Sequence, residues 1–87
     1  MQKKYWQNYF ADEILERGLN YFEEKYILDI DYSDDKITAL VDGSKTYTVT
    51  INFEDEEITR MDCTCPHAYK GNNCKHMACV LYSIEKE

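Results

Sequence analysis

Residues 63–76 read CTCPHAYKGNNCKH and hold three of the four cysteines and both histidines of the chain. Thiolate sulfur and imidazole nitrogen are soft to borderline donors, so a cluster of them suits a divalent ion such as zinc rather than calcium or magnesium. The spacing says how they could converge. In an extended segment residues i and i+2 point the same way, so Cys63 and Cys65 can present two sulfurs to one point. On a helix i and i+2 do not face each other, so Cys74 and His76 converge only if Cys74 stands at or before a helix start and His76 in its first turn. A helix is therefore predicted to begin near Cys74 or Lys75. The residues between the two pairs, PHAYKGNN, are rich in turn formers and long enough to loop back and close a four-coordinate site.

Three thiolates and one imidazole leave no open position for water, which points to a structural Zn(II) site formed by Cys63, Cys65, Cys74 and His76 rather than a catalytic one. The same residues admit other readings: free buried thiols beside a surface histidine, disulfides, or His67 in place of His76. A chance distribution reproduces the paired spacings poorly, and cysteines of a cytosolic chain stay reduced. Ligation by Cys63, Cys65 and His67 would crowd three donors into adjacent alternate positions. Cys79 falls outside the pattern, on the predicted helix, where a small buried hydrophobe is the usual role. The acidic runs Asp34–Asp35 and Glu54–Glu57 lack the spacing and glycine of a calcium loop and read as solvated turns.

Such a site must be positioned by flanking elements, and the length of the chain makes it useful. At 87 residues the chain is expected to be one domain, 1–87, that buries only about 60–65% of its unfolded surface, so its core needs a staple. From Asp12 to Glu24 the residues Ile14, Leu15, Gly18, Tyr21 and Phe22 fall at helical spacing, with charged residues on the other side, which predicts an amphipathic helix. Trp6, Tyr9 and Phe10 suit the same face and either extend the helix backwards or form a short separate turn; the predicted helical range is 5–24. Gly18 inside a helix costs about 1 kcal/mol relative to alanine, which implies a close packing contact there.

After Tyr26 the period changes to two. Tyr26, Leu28, Ile30 and Tyr32 alternate with Ile27, Asp29 and Asp31, SDDK makes a turn, Ile37–Val41 forms a second strand, and DGSK turns again. In TYTVTINF, Tyr47, Val49, Ile51 and Phe53 share one face while Thr46, Thr48, Thr50 and Asn52 share the other. EDEE then turns into ITRMDC. The fold class is thus α+β: an N-terminal amphipathic helix, an antiparallel meander of three to four strands over 26–63, a zinc knuckle and a C-terminal helix, with the finger spanning 63–85. The N-terminal helix is expected to cover one sheet face through Ile14, Leu15, Tyr21 and Phe22. Met77, Val80, Leu81 and Ile84 carry the helical period of the final segment.

The order CTCP, a loop, and CKH running into an apolar helix resembles the SWIM-type zinc finger, whose pattern is C-x-C, a variable spacer and C-x-H. RGLNYFEEKYI, a strand with a Tyr-x-Val core and a strand leading into C-x-C are similar to the region before the finger in bacterial proteins where a SWIM domain precedes a Swi/Snf-type helicase ATPase. The resemblance spans roughly residues 12–85. It implies an accessory zinc-binding module whose partner is a protein or an ATPase domain in cis. No Walker-type phosphate loop exists in this sequence, so that ATPase would lie elsewhere.

Charge bears on whether such a finger binds DNA by itself. The formal net charge is -7, and three thiolates with one Zn(II) add a further -3 + 2 = -1, so the overall field repels phosphates. Locally, Arg60, Tyr69, Lys70 and Lys75 lie near the cluster and could contact phosphate or stack on a base, or the cations could simply offset an anionic site. Three function classes follow: a non-catalytic module acting through protein contacts, an autonomous nucleic-acid-binding finger, and, least supported, a thiol redox or catalytic zinc protein using Cys63 and Cys65. The N-terminal MQKKYWQNYF has no apolar run behind its lysines, so neither signal peptide nor membrane span is predicted and a cytoplasmic location is expected.

Overall fold

The computed structural model describes residues 6–55 and 57–86. A 3-10 turn, Trp6–Tyr9, is followed by α1 (Asp12–Glu23), β1 (Ile27–Tyr32), β2 (Lys36–Asp42), β3 (Thr46–Glu54), β4 (Glu57–Cys63), the one-turn α2 (Pro66–Tyr69) and α3 (Lys75–Lys86). The strands form one antiparallel sheet in the order β1-β2-β3-β4. The architecture is α+β, with an N-terminal helix, a four-stranded meander and a C-terminal helix. No helix among the described residues is long and apolar enough to cross a membrane.

The alternation in β2 and β3 produces a sheet with one dry face. Ile37, Ala39 and Val41 of β2 and Tyr47, Val49 and Ile51 of β3 are buried, and the register pairs Ile37 with Ile51, Ala39 with Val49 and Val41 with Tyr47. Intervening residues such as Thr38, Thr48 and Thr50 point to the other side, where they are only partly covered. Burying each aliphatic side chain of this kind contributes about 1.5–3 kcal/mol relative to exposure.

What lies on the dry face departs from the expectation. The helix against the sheet is α3, whose residues His76 to Leu81 are all buried. The first helix, α1, packs chiefly on α3 rather than on the strands, so α3 is sandwiched and the N-terminal helix forms an outer layer. The physical reason is the apolar content of α3: a helix buried on nearly all sides fits the middle of a stack, whereas a helix with one apolar stripe needs only one neighbour.

Gly18 supplies the close contact implied by its position. A β-carbon there would lie 2.5 Å from Ala78 Cβ and 3.1 Å from both the Cys79 nitrogen and the Lys75 oxygen. Glycine and alanine thus let the two helix backbones approach each other.

Two local differences also have physical causes. The helical range 5–24 holds two pieces, because Ala11 is extended (φ -69°, ψ 153°) between the 3-10 turn and α1; its first residue, Tyr5, lies outside the described residues. The turn piece buries Trp6, whose ring meets Tyr82 edge-on at 4.8 Å and whose Nε1 donates to Glu85 Oε2 at 3.1 Å. In β1 the pairing slips between Ile27 and Asp29, a bulge that places Ile27 opposite Val41 and Ile30 opposite Ala39 and leaves Leu28 57% exposed. The expected sharing of one face by Leu28 and Ile30 is broken, since the bulge adds one residue between the two inward isoleucines, Ile27 and Ile30. Of the EDEE turn, Glu56 lies outside the described residues.

Candidate metal centre

Each arm of the cluster is placed by its element. At the end of β4, Cys63 pairs with Val49 and so shares the core side of the sheet. The ladder continues one residue further: Thr64 N–H donates to the Thr48 carbonyl at 3.1 Å, and Thr48 N–H donates to Thr64 Oγ1 at 3.0 Å. This keeps the chain extended through Thr64, so Cys65 returns to the side of Cys63. Cys65 then caps α2, its Sγ accepting from Ala68 N–H at 3.4 Å. The stretch PHAYKGNN is therefore a helical turn at Pro66–Tyr69 plus a reversal, in which Gly71 takes the left-handed conformation (φ 92°). Pro66 at the first helical position, with its fixed φ, explains why this turn forms in a segment read as loop.

The second arm behaves as its spacing requires. The helix α3 starts at Lys75, and the Cys74 carbonyl accepts from Ala78 N–H at 3.2 Å. Cys74 is therefore the residue just before the helix and His76 lies in the first turn. The intervening loop is held by Asn73, whose Nδ2 donates to the Tyr9 carbonyl at 2.7 Å.

These placements bring one ligand atom each from Cys63, Cys65, Cys74 and His76 to within 4.8 Å of one another, with all but Cys63 buried. His76 Nδ1 is 3.8 Å from Cys63 Sγ. A tetrahedron with Zn–S of about 2.3 Å has edges of about 3.8 Å, so a small inward movement closes these donors on one ion. The donor set, three sulfurs and one imidazole nitrogen, is the kind that structural zinc takes. His67 sits exposed on α2 outside the group, and Cys79 is fully buried on α3, also outside it.

His76 is gripped from both layers. Tyr21 of α1 meets its ring edge-on at 5.5 Å, and Tyr47 of β3 lies tilted against it at 4.7 Å. Its Nε2 is buried without a hydrogen-bond partner among the described residues and lies against Gly43, where a β-carbon would come within 3.2 Å of it and 2.9 Å of Tyr47 Cε2. Tyr47 cannot yield freely, because its hydroxyl is 2.7 Å from Ser44 Oγ. Gly43→Ala is thus expected to push the imidazole off its position and weaken zinc binding about tenfold, the lower end for residues that orient a metal ligand. Chelator competition measures this, and an unchanged affinity would show that the glycine is needed only for the turn.

The tyrosines and Gly43 were not identifiable as neighbours of the site from sequence. Period two put Tyr47 on the inner face and helical spacing put Tyr21 on the inner stripe, but no local pattern says that both meet at His76. Arg17 was also missed. On the helical pattern it belongs to the polar side of α1, yet with Lys75 it lines a crevice of about 80 Å³ beside Cys65, Cys74 and His76. The two cations offset the charge of an anionic thiolate–zinc site.

Of the four residues considered for nucleic-acid contact, Lys75 lines the crevice beside Cys65, Cys74 and His76. Arg60 pairs with Asn52 in the register, donating from Nε to Asp62 Oδ2 at 2.8 Å. Lys75 holds its ammonium 5.4 Å from the centre of the Tyr21 ring. Tyr69, 90% exposed, and Lys70 stand at the end of α2.

Two buried thiols hold their protons well above the usual range, for different reasons. In the metal-free protein Cys74 is pushed up to about 12, first by its hydrogen bond with Cys63 and then by burial. Burial alone pushes Cys79 up to about 12. Because the raised value keeps Cys74 protonated at every pH below it, zinc uptake must displace that proton, and affinity rises with pH. Between about pH 6 and 8 this one group contributes about a tenfold rise per pH unit. Cys74→Ala is expected to lose zinc affinity and to lower the pH slope by one proton, while Cys79→Ala leaves both as they were. Equal loss in the two variants would overturn the ligand set.

Comparison with known proteins agrees with this geometry. Residues 47–85, from the middle of the sheet to the end of α3, match the SWIM zinc finger family. No curated protein and no solved structure matches the chain. The first helix and the first two strands lie before the matched segment.

Proposed function

Because the chain carries a SWIM zinc finger at residues 47–85, we propose that it is a non-catalytic zinc-binding module that works through contacts with a protein partner, as an accessory to a larger helicase-type ATPase. The observation that carries this is the closed Cys3His set, which joins the end of the sheet to the start of α3. Four protein donors saturate a tetrahedral ion, so the site has no position for water or substrate and its chemistry is structural. A resemblance upstream of the finger to bacterial SWIM regions preceding Swi/Snf-type ATPases supports the accessory role.

Protein contact is favoured over nucleic acid by charge. The formal net charge of -7 repels a polyanion, and two of the cations near the finger are engaged: Lys75 over an aromatic ring, Arg60 on a carboxylate. Titration of the zinc-loaded chain with short single-stranded and duplex DNA at two salt concentrations tests the choice. No saturable binding is expected near physiological salt. Saturable binding that weakens as salt rises would replace the protein-contact reading with a nucleic-acid one.

A further inference from the structure

The end of the sheet away from the metal cluster carries a second concave feature. The β1–β2 turn, the β3–β4 turn and the last turn of α3 enclose a cleft of about 880 Å³, within the size range of specific binding clefts. Its floor is apolar, made by Ile37 of β2, Phe53 of β3 and Ile84 of α3. Its rim is acidic on two opposed sides: Asp34 and Asp35 on one turn, Glu54 and Asp55 on the other. All four carboxylates are exposed, and none has a side-chain partner among the described residues. Among the described residues the only cation lining the cleft, Arg60, is already paired with Asp62 at 2.8 Å.

From this charge and shape we infer that the cleft is a docking site for a basic segment of a partner protein, one that presents lysine or arginine side chains around an apolar anchor. Four unpaired carboxylates repel one another, so a cation that sits among them gains attraction and relieves that repulsion. The apolar floor selects within cations. A lysine or arginine stem, or a neighbouring leucine or aromatic side chain, covers Ile37, Phe53 and Ile84 while the charged heads reach the rim, which a small hydrophilic cation cannot do. A phosphate backbone is excluded by the sign of the rim. The inference extends the protein-contact reading by naming a surface and a partner chemistry, and it rests on residues separate from the metal ligands.

The test uses the zinc-loaded 87-residue chain with amide resonances followed by NMR. Three probes are titrated: a short synthetic peptide rich in lysine and arginine around a leucine–tryptophan pair, the same peptide with glutamate replacing its basic residues, and spermine. Saturable shifts are expected with the basic peptide, confined to the segments around residues 32–37, 52–55 and 82–85, and absent with the acidic peptide. Spermine should bind about tenfold or more weakly, because it carries charge without an anchor. The double variant Asp34→Lys, Asp35→Lys should weaken the basic peptide by about tenfold or more, and Ile84→Ala should narrow the gap between the peptide and spermine. Both substitutions lie at the far end of the fold, so retained zinc content and an unchanged spectrum around residues 63–76 verify that each variant is folded. Shifts centred on the metal cluster, equal binding of spermine and peptide, or binding indifferent to charge reversal would each overturn the proposal. Failure here with no DNA binding leaves the protein-contact reading standing on another surface, whereas saturable DNA binding removes that reading itself.

Discussion

Removal of zinc is expected to strip hydrogen-exchange protection from both helices, not only from the finger. The metal site joins Cys63 at the end of β4 and Cys65 at the start of α2 to Cys74 and His76 at the start of α3. Structural zinc contributes on the order of 10 kcal/mol of apparent binding free energy at neutral pH, comparable to the whole stability of a small domain. Without it, α3 is held on the sheet by apolar contact alone, and the buried Cys65, Cys74 and His76 lose the ion that joins them. Since α1 packs chiefly on α3, it loses its seat when α3 loosens. Amides of Met77 to Ile84 and of Ile14 to Phe22 should therefore exchange together on addition of chelator. The β2–β3 hairpin, whose pairing from Lys36–Asn52 to Asp42–Thr46 is continuous, should retain the most protection. Equal protection of Met77 to Ile84 with and without chelator would show that zinc does not staple this fold, and the closed-site basis for a non-catalytic role would fall with it.

The coupling of α1 to α3 marks where the sequence was informative and where it was not. Ligand spacing is a local property: Cys63 and Cys65 obey the period of a strand, and Cys74 and His76 obey the start of a helix, so their convergence could be read from order alone. The faces of β3 were legible for the same reason. Layer order is different. Both α1 and α3 carry apolar stripes, and either could have covered the sheet; the decision rests on how much of each helix is apolar all round, which a single-face pattern does not weigh. The bulge at Leu28 was hidden because one inserted residue leaves the composition of β1 unchanged while shifting which isoleucines face inward. Gly18 did signal its close contact, but the identity of the opposing element, Ala78 on α3, is tertiary information. Arg17 illustrates the same limit: a charge on the polar side of an isolated helix comes to rest beside an anionic site only once a third element is in place.

Substitution of Gly18 by alanine is expected to destabilise the zinc-loaded domain by about 2 kcal/mol or more, despite alanine's better helix propensity. Propensity alone would stabilise α1 by about 1 kcal/mol. Against this, the new β-carbon would stand 2.5 Å from Ala78 Cβ and 3.1 Å from the Cys79 nitrogen and the Lys75 oxygen. None of these atoms ends a flexible side chain, so relief requires the two helices to move apart, and overpacking of this kind costs about 1–3 kcal/mol or more. Movement of α3 is resisted at its start by the zinc ligands Cys74 and His76 and on its other face by the sheet, so α1 must yield. Its withdrawal would also drag Tyr21 from the His76 ring, 5.5 Å away. Urea unfolding at saturating zinc, compared with the exposed α1 control Glu16→Ala, measures the effect. Zinc stoichiometry should stay at one, because no ligand comes from α1, while the urea midpoint falls only for the glycine variant. A midpoint that rises would mean that propensity outweighs the contact, and that α1 rests on α3 loosely enough to survive without it.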